Sequence, residues 1–234
     1  MCSRIFFFRR YIFPSKGTRI LVNDASFKDF CTVKFSAVVF DLGGVLIRLD
    51  YQRTITAFKQ LGISNFDQLY TQANQQQLFD LFETGMISPQ RFINELLGFL
   101  PNGTSPNQVV NAWNAMILDV PAASINVLNQ VRKTHHIVLL SNTNALHVPV
   151  VRKEWRKITD RPMEDFFDGL YFSHELGLRK PHPDTFRTVC QREGILPEET
   201  LFIDDSIQHI EGAHLAGLQT HHLQSIEELT QLFS

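Results

Sequence analysis

The sequence is short of cysteine, of unbroken apolar stretches and of a dominant charge, and each shortage excludes a class of protein. Its three cysteines, Cys2, Cys31 and Cys190, are odd in number and widely spaced along 234 residues. They offer neither a disulfide framework nor a zinc-ligand spacing, which points to a reducing compartment and a cytoplasmic location. Apolar runs such as Ile5 to Phe8 fall far short of the ~20 residues of a bilayer span, so no membrane role is expected. Lys and Arg total 22 against 24 Asp and Glu, a formal net charge of −2, which leaves no basic footprint for nucleic acid. The nine histidines contain no H-x-x-x-H pair, and no internal repeat appears. Nothing in the sequence implies a protein partner. What remains is a chain that is 44% hydrophobic and 20% charged, a globular composition.

Charge is unevenly spread. Residues 1–34 hold seven basic side chains (Arg4, Arg9, Arg10, Lys16, Arg19, Lys28, Lys34) and two acids (Asp24, Asp29). The remaining residues carry a net −7. The opening reads as a poorly ordered extension outside the fold. Its Arg-rich, acid-poor start keeps an organelle-targeting role open, and a surface- or partner-binding segment is the third reading.

Short apolar runs without alternation mark buried strands at 37–40, 137–140, 170–172, 201–203 and near 219–223. Helical stretches lie between or after them at 122–134, 144–157, 183–193, 207–216 and 225–233. Pro183 suits a first helical turn, and Ser225 with Glu228 reads as a capping box. Strands alternating with helices imply an α/β, doubly wound parallel sheet. About 95 residues separate the first two strands, more than one crossover helix needs. Helices are expected there at 52–61, 65–82, 89–99 and 106–118, with Ser88-Pro89 and Ser105-Pro106 as start signals. The division expected is a core of 35–48 and 120–234 with a helical cap over 49–119. Trp113 and Phe92 read as cap core. Glu83-Thr84-Gly85 reads as a helix-ending turn, or as a loop reaching over the site.

Asp41, Ser141 and Asp204-Asp205 end strands, and Lys180 follows the third. Each alone has a bland explanation as turn residue, cap or solvated charge. Together they meet at the edge of an open α/β sheet where ligands bind. Three carboxylates and one ammonium leave a net −2, which one Mg²⁺ would neutralise with oxygen ligands. Such a site suits phosphoryl transfer. Asp41 can attack phosphorus, while Ser141, the N–H groups after it and Lys180 hold phosphate oxygens.

With these residues in order, the chain resembles the phosphatases of the haloacid dehalogenase superfamily. VVFDLGGVL (38–46), IVLLSN (137–142), LGLRKPHPDTF (176–186) and LFIDDS (201–206) match the four motifs in sequence. The resemblance implies a Rossmann-like core, a helical cap after the first strand and a small phosphorylated substrate. It assigns Asp41 and Lys180 to catalysis, and Ser141, Asn142 and Lys180 to the phosphate. Asp41, the Gly43 carbonyl, Asp204 and Asp205 surround Mg²⁺, directly or through water. SNTNALH and IEGAHLAGL are similar to the bacterial α-D-glucose-1-phosphate phosphatase subgroup, which implies a sugar phosphate.

One position departs. The family places a second Asp two residues after the nucleophile as proton shuttle; here it is Gly43. General acid–base help is typically worth ~10²–10⁴-fold, so a slower phosphatase, or one favouring good leaving groups, is expected. A non-enzymatic phosphometabolite-binding module is the rival reading. A metal-free 2-haloacid dehalogenase is a further alternative, opposed by the Asp204-Asp205 pair. His174 and His182, close to Lys180, are candidate substrate contacts, whereas His135-His136 and His221-His222 read as surface or edge residues.

Overall fold

The five expected strands assemble into a single sheet, the fifth of them, Gln219–His222, being a polar, half-buried segment and not an apolar run. The computed structural model describes residues 35–63 and 77–233. The strands are β1 (Ala37–Phe40), β2 (His136–Ser141), β3 (Gly169–Phe172), β4 (Thr200–Asp204) and β5 (Gln219–His222). Their order is β3-β2-β1-β4-β5, with every neighbouring pair parallel. Among the described residues, four helices lie between β1 and the rest of the core: α1 (Tyr51–Gln60), α2 (Leu78–Glu83), α3 (Pro89–Leu97) and α4 (Pro106–Asn114). Then follow α5 (Ala122–Val131), α6 (His147–Arg156), α7 (Ser173–Leu176), α8 (Pro183–Glu193), α9 (Ile207–Leu215) and α10 (Ile226–Leu232).

Both faces of the sheet are covered. Successive side chains of a strand point to opposite sides. Val39, Val138, Leu140 and Phe202 pack with Phe186, Val189, Ile210 and Ala213 of α8 and α9. Phe40, one residue on from Val39, instead meets the Phe233 ring at 6.1 Å, just past α10. Helices on both faces leave no solvated side, which is why the strands read as continuous apolar runs. Chain order reverses between β1 and β4, the switch point at whose carboxyl ends open α/β sheets bind ligands.

The helical insertion has its own core. Phe82 and Phe92 stack with centroids 4.0 Å apart, and Trp113 meets Phe92 edge-on at 4.9 Å. Phe92 and Trp113 are therefore packing residues, as expected. Ser88 accepts from the Arg91 N–H, and Ser105 forms a full capping box with Gln108. Arg48–Asp50 pairs back onto Met116–Asp119, with Leu118 N–H to Arg48 O at 3.0 Å and Asp50 N–H to Met116 O at 2.8 Å. That antiparallel neck ends α4 at Asn114, short of the expected 118.

Other boundaries also move for local reasons. The helix expected at 65–82 falls largely outside the described residues, as does the basic opening. α6 starts at His147 rather than 144, because the Asn144 carboxamide oxygen accepts the Leu146 and His147 N–H groups. The Ser225 box is half formed: Ser225 accepts from the Glu228 N–H, but the Glu228 carboxylate takes the Gln224 N–H at 2.7 Å instead. His136 and His221 do not flank strands but lie within β2 and β5, bonded to Glu193 at 2.8 Å and Glu228 at 2.9 Å. α7 and the 3₁₀ turns at Met163–Phe166 and Pro197–Glu199 carry no signal in the sequence that was read.

Candidate active site

Two adjacent strand ends and one loop make the centre of the site. The Asp41 N–H bonds the Ile203 carbonyl at 2.9 Å, which fixes Asp41 beside Asp204 across the β1–β4 ladder. Between them lies the Lys180 ammonium, 2.7 Å from Asp41 Oδ1 and 2.7 Å from Asp204 Oδ2. Lys180 is wholly buried, its charge also 5.3 Å from the centre of the Phe202 ring. Burial alone would deprotonate it, but the two carboxylates outweigh burial and raise its pKa.

The loop that carries Lys180 is held on two sides. Asn142 accepts the Lys180 N–H at 2.9 Å and donates to the Lys180 carbonyl at 2.8 Å. On the other side the Pro181 carbonyl lies so close to α9 that a Cβ at Gly212 would come within 2.0 Å of it. Asn142, expected on the phosphate, has its carboxamide bridged to the lysine loop in this structure. Ser141, at the buried end of β2, keeps the position expected of it.

Asp205 stands apart from this network. It opens to solvent beside the turn after β1, where Gly44 adopts φ +77°. A Cβ on Gly44 would lie 2.2 Å from Asp205 Oδ2, so only glycine lets the carboxylate in. Partial burial and the charges of Asp41 and Asp204 lift its carboxyl to about 7. The turn is closed by Gly44 N–H to Ile47 O and Ile47 N–H to Leu42 O, bonds that do not use the Gly43 carbonyl. Asp41 feels the charge of Asp204, Asp205 feels the charges of both, and Lys180 only partly offsets them, so the oxygen-donor chemistry here, with the Gly43 carbonyl left out of the turn's bonds, suits a hard divalent cation. Asp204 fits less well as a direct ligand. Its oxygens already accept from Lys180, from His209 Nδ1 at 2.9 and 3.0 Å and from the Ser206 N–H at 2.8 Å. Asp41, Asp204 and His209 do cluster closely enough to ligate one ion. Their contacts to Lys180 and to each other make that cluster a hydrogen-bonded network instead.

A haloacid dehalogenase-like hydrolase family model matches residues 35–217, most of the chain. The chain belongs to that family. It is 29% identical over 183 residues to the D-ribitol-5-phosphate phosphatase of Bacteroides thetaiotaomicron, covering 78% of this chain and 89% of that one. A haloacid dehalogenase family enzyme from the same organism, solved with magnesium and inorganic phosphate, superposes with a TM-score of 0.79 at 34% identity. The match covers 86% of this chain and 100% of that one. A related hydrolase structure from Porphyromonas gingivalis gives 0.74 at 30% identity, covering 85% and 97%.

Several groups of this hydrolase's site escape the sequence motifs. His209, on the first turn of α9, is buried against Asp204. Arg179, next to Lys180, reaches the insertion: Nη2 is 2.9 Å from Glu83 Oε2, and Nη1 contacts Asp80. Tyr51, at the start of α1, is partly exposed, and burial of its phenol followed by the charges of Asp205, Asp41, Glu83 and Asp204 raises its pKa above the usual value. Adjacency to Lys180 was the one available signal for Arg179; Tyr51 offered none. Of the candidate histidines, His182 is exposed and caps α8 through the Asp184 N–H. His174 carries the carbonyl on which the Gly85 turn rests.

Proposed function

We propose that this hydrolase is a Mg²⁺-dependent phosphomonoesterase acting on a small phosphorylated polyol or sugar. The observation that carries the reading is the buried Lys180 ammonium, 2.7 Å from both Asp41 and Asp204, with Asp205 set against Gly44. Asp41 is the nucleophile. Its Oδ attacks phosphorus, the bond to the leaving oxygen breaks, and an aspartyl-phosphate forms that water later hydrolyses. Lys180 offsets the charge of Asp41 and of the phosphoryl oxygens. Ser141 and the N–H groups that follow it hold phosphate oxygens. Asp41, Asp205 and the Gly43 carbonyl would hold the Mg²⁺, with Asp204 supporting through Lys180. When bound, the ion neutralises charge on the phosphoryl group. The helices over 49–119 serve as the cap, excluding water and reading the rest of the substrate. The D-ribitol-5-phosphate phosphatase relative supports the polyol or sugar class. The α-D-glucose-1-phosphate subgroup is a narrower version of the same reading.

Gly43 favours a second reading, a phosphometabolite-binding module with little turnover. Phosphate release from polyol, sugar, nucleotide and carboxylic-acid phosphates, with Mg²⁺ and then with EDTA, separates the two. Metal-dependent release that Asp41→Asn abolishes supports the enzyme. Tight binding of one ester without release supports the module.

A further inference from the structure

Gly43 leaves an unanswered chemical need. An alkoxide leaving group needs a proton, and the water that follows needs a base. The site's titratable groups can be taken in turn. Asp41 is the nucleophile, and Lys180 and Asp204 hold each other's charge. Asp205 faces the cation position. His209 is buried behind Asp204. Tyr51 is too weak an acid to exchange its proton near neutrality. The carboxyls left are Asp80 and Glu83 of the helical insertion, both on Arg179, and Glu83 is the more buried of the two.

Glu83 ends α2, and its turn is pressed onto the core. Gly85 has φ +70°, and a Cβ there would sit 2.1 Å from the His174 carbonyl. Arg179 fixes the carboxylate from below, 2.9 Å from Oε2, and is itself the residue before Lys180. Only 22% of the Glu83 side chain is exposed. The charges that face it are Arg179, Asp80, His209 and Lys180, with the Tyr51 phenol within their range. Resting on the phosphatase reading above, we infer that Glu83 is the general acid and base of this enzyme, supplied from the insertion in place of the carboxylate missing at Gly43.

The proton accounting closes. As Asp41 attacks phosphorus and the P–O bond to the leaving group breaks, the Glu83 carboxyl gives its proton to the departing oxygen. The Glu83 carboxylate then takes a proton from water. That water's oxygen attacks the aspartyl-phosphate, the P–O bond to Asp41 breaks, and inorganic phosphate leaves with Glu83 protonated again. Burial raises the Glu83 pKa, and the Arg179 charge opposes that shift.

Leaving-group dependence tests this. kcat/KM reports steps through departure of the leaving group, so a p-nitrophenyl ester, which needs no proton, is compared with a polyol or other primary alkyl phosphate. Glu83→Gln should lower kcat/KM on the alkyl ester by about 10²–10⁴-fold. It should leave the p-nitrophenyl ester almost unchanged, and Glu83→Asp should restore part of the alkyl activity. An equal loss on both esters, or none on either, overturns the role. The wild-type enzyme gives an independent reading if Glu83→Gln folds poorly. Across aryl and alkyl esters its kcat/KM should vary little with leaving-group pKa, and a steep dependence overturns the assignment. No hydrolysis of any ester by folded wild-type protein with Mg²⁺ would instead mark failure of the phosphatase reading itself.

Discussion

Lys180 has two carboxylate neighbours at one distance, but they are not energetically equivalent. Burial, then the charge of Asp204, holds the Asp41 carboxyl above its ordinary value, and Lys180 only partly offsets them. Burial opposes ionisation of Asp204 too, but there Lys180 and His209 outweigh it, and the carboxyl falls to about 2. Asp204, which accepts from His209 as well as from Lys180, is therefore the better stabilised of the two carboxylates. Asp204→Asn removes a carboxylate whose folded pKa lies below its unfolded ~3.9. Linkage makes that ionisation worth on the order of 2–3 kcal/mol at neutral pH. The contribution is whole above about pH 4 and lost as pH falls toward 2. Breaking a buried pair outright costs ~3–5 kcal/mol, the upper bound. For a unit of this size each kcal/mol moves the melting temperature by about 2–4 °C, so Asp204→Asn should lower Tm by roughly 5–15 °C. Asp41→Asn removes a carboxylate that the fold disfavours in its charged form. It should abolish turnover while leaving Tm unchanged or higher. Thermal and urea melts at pH 7 in EDTA, followed by circular dichroism beside phosphate-release assays, check both. If Asp41→Asn costs as much stability as Asp204→Asn, the unequal stabilisation of the two carboxylates is refuted. Lys180→Met combined with Asp204→Asn should then cost less than the sum of the two.

Three further outcomes follow from single contacts. Gly44→Ala puts a methyl 2.2 Å from Asp205 Oδ2 at a φ of +77°, so the Mg²⁺ concentration for half activity should rise at least ~10-fold; an unchanged value by titration removes Asp205 from the cation site. Asn142→Ala deletes the 2.9 and 2.8 Å bonds to the Lys180 backbone, costing about 1–3 kcal/mol. It should lower kcat more than it raises KM, whereas a KM effect alone would return the amide to the phosphate. Burial drives the His147 imidazole down to about 3, below its unfolded ~6.5. Its stabilising effect is whole above pH 6.5 and lost progressively toward pH 3, a few kcal/mol in all. Urea melts between pH 7.5 and 4.5 should therefore fall more steeply for wild type than for His147→Gln, and parallel losses would refute this.

What the sequence disclosed, and what it hid, divides by the range of the interaction involved. The strands were legible because both faces of the sheet are covered, so Ala37–Phe40 and Thr200–Asp204 read as apolar runs. Asp41, Asp204 and Lys180 were legible because each sits at a strand end or in a loop beyond one, where topology brings them together without a side-chain contact being known. The role of Asn142 was not, since its bonds to Lys180 span 38 residues of sequence. The Ser225 box failed for a local reason: His221 and Gln224, seven and four residues away, compete for Glu228. His209 lies one helical turn beyond Asp205, a spacing that places it under the carboxylates once α9 is known to begin at Ile207.

The adjacency of Arg179 and Lys180 ties the two halves of the site together. Neighbouring residues in one loop send their cations in different directions. Arg179 meets Asp80 and Glu83 of the insertion, and Lys180 meets Asp41 and Asp204 of the core. The loop cannot shift without disturbing both, because Asn142 clamps its backbone and Gly212 lets the Pro181 carbonyl lie directly on α9. Any movement of α2 away from the core must therefore break the Arg179 pairs while leaving the Lys180 pairs, which are wholly buried, in place. The Lys180 pairs are the more deeply buried of the two sets, at 0% exposure for Lys180 and Asp204 against 26% for Arg179 and 22% for Glu83, so they are the costlier to break.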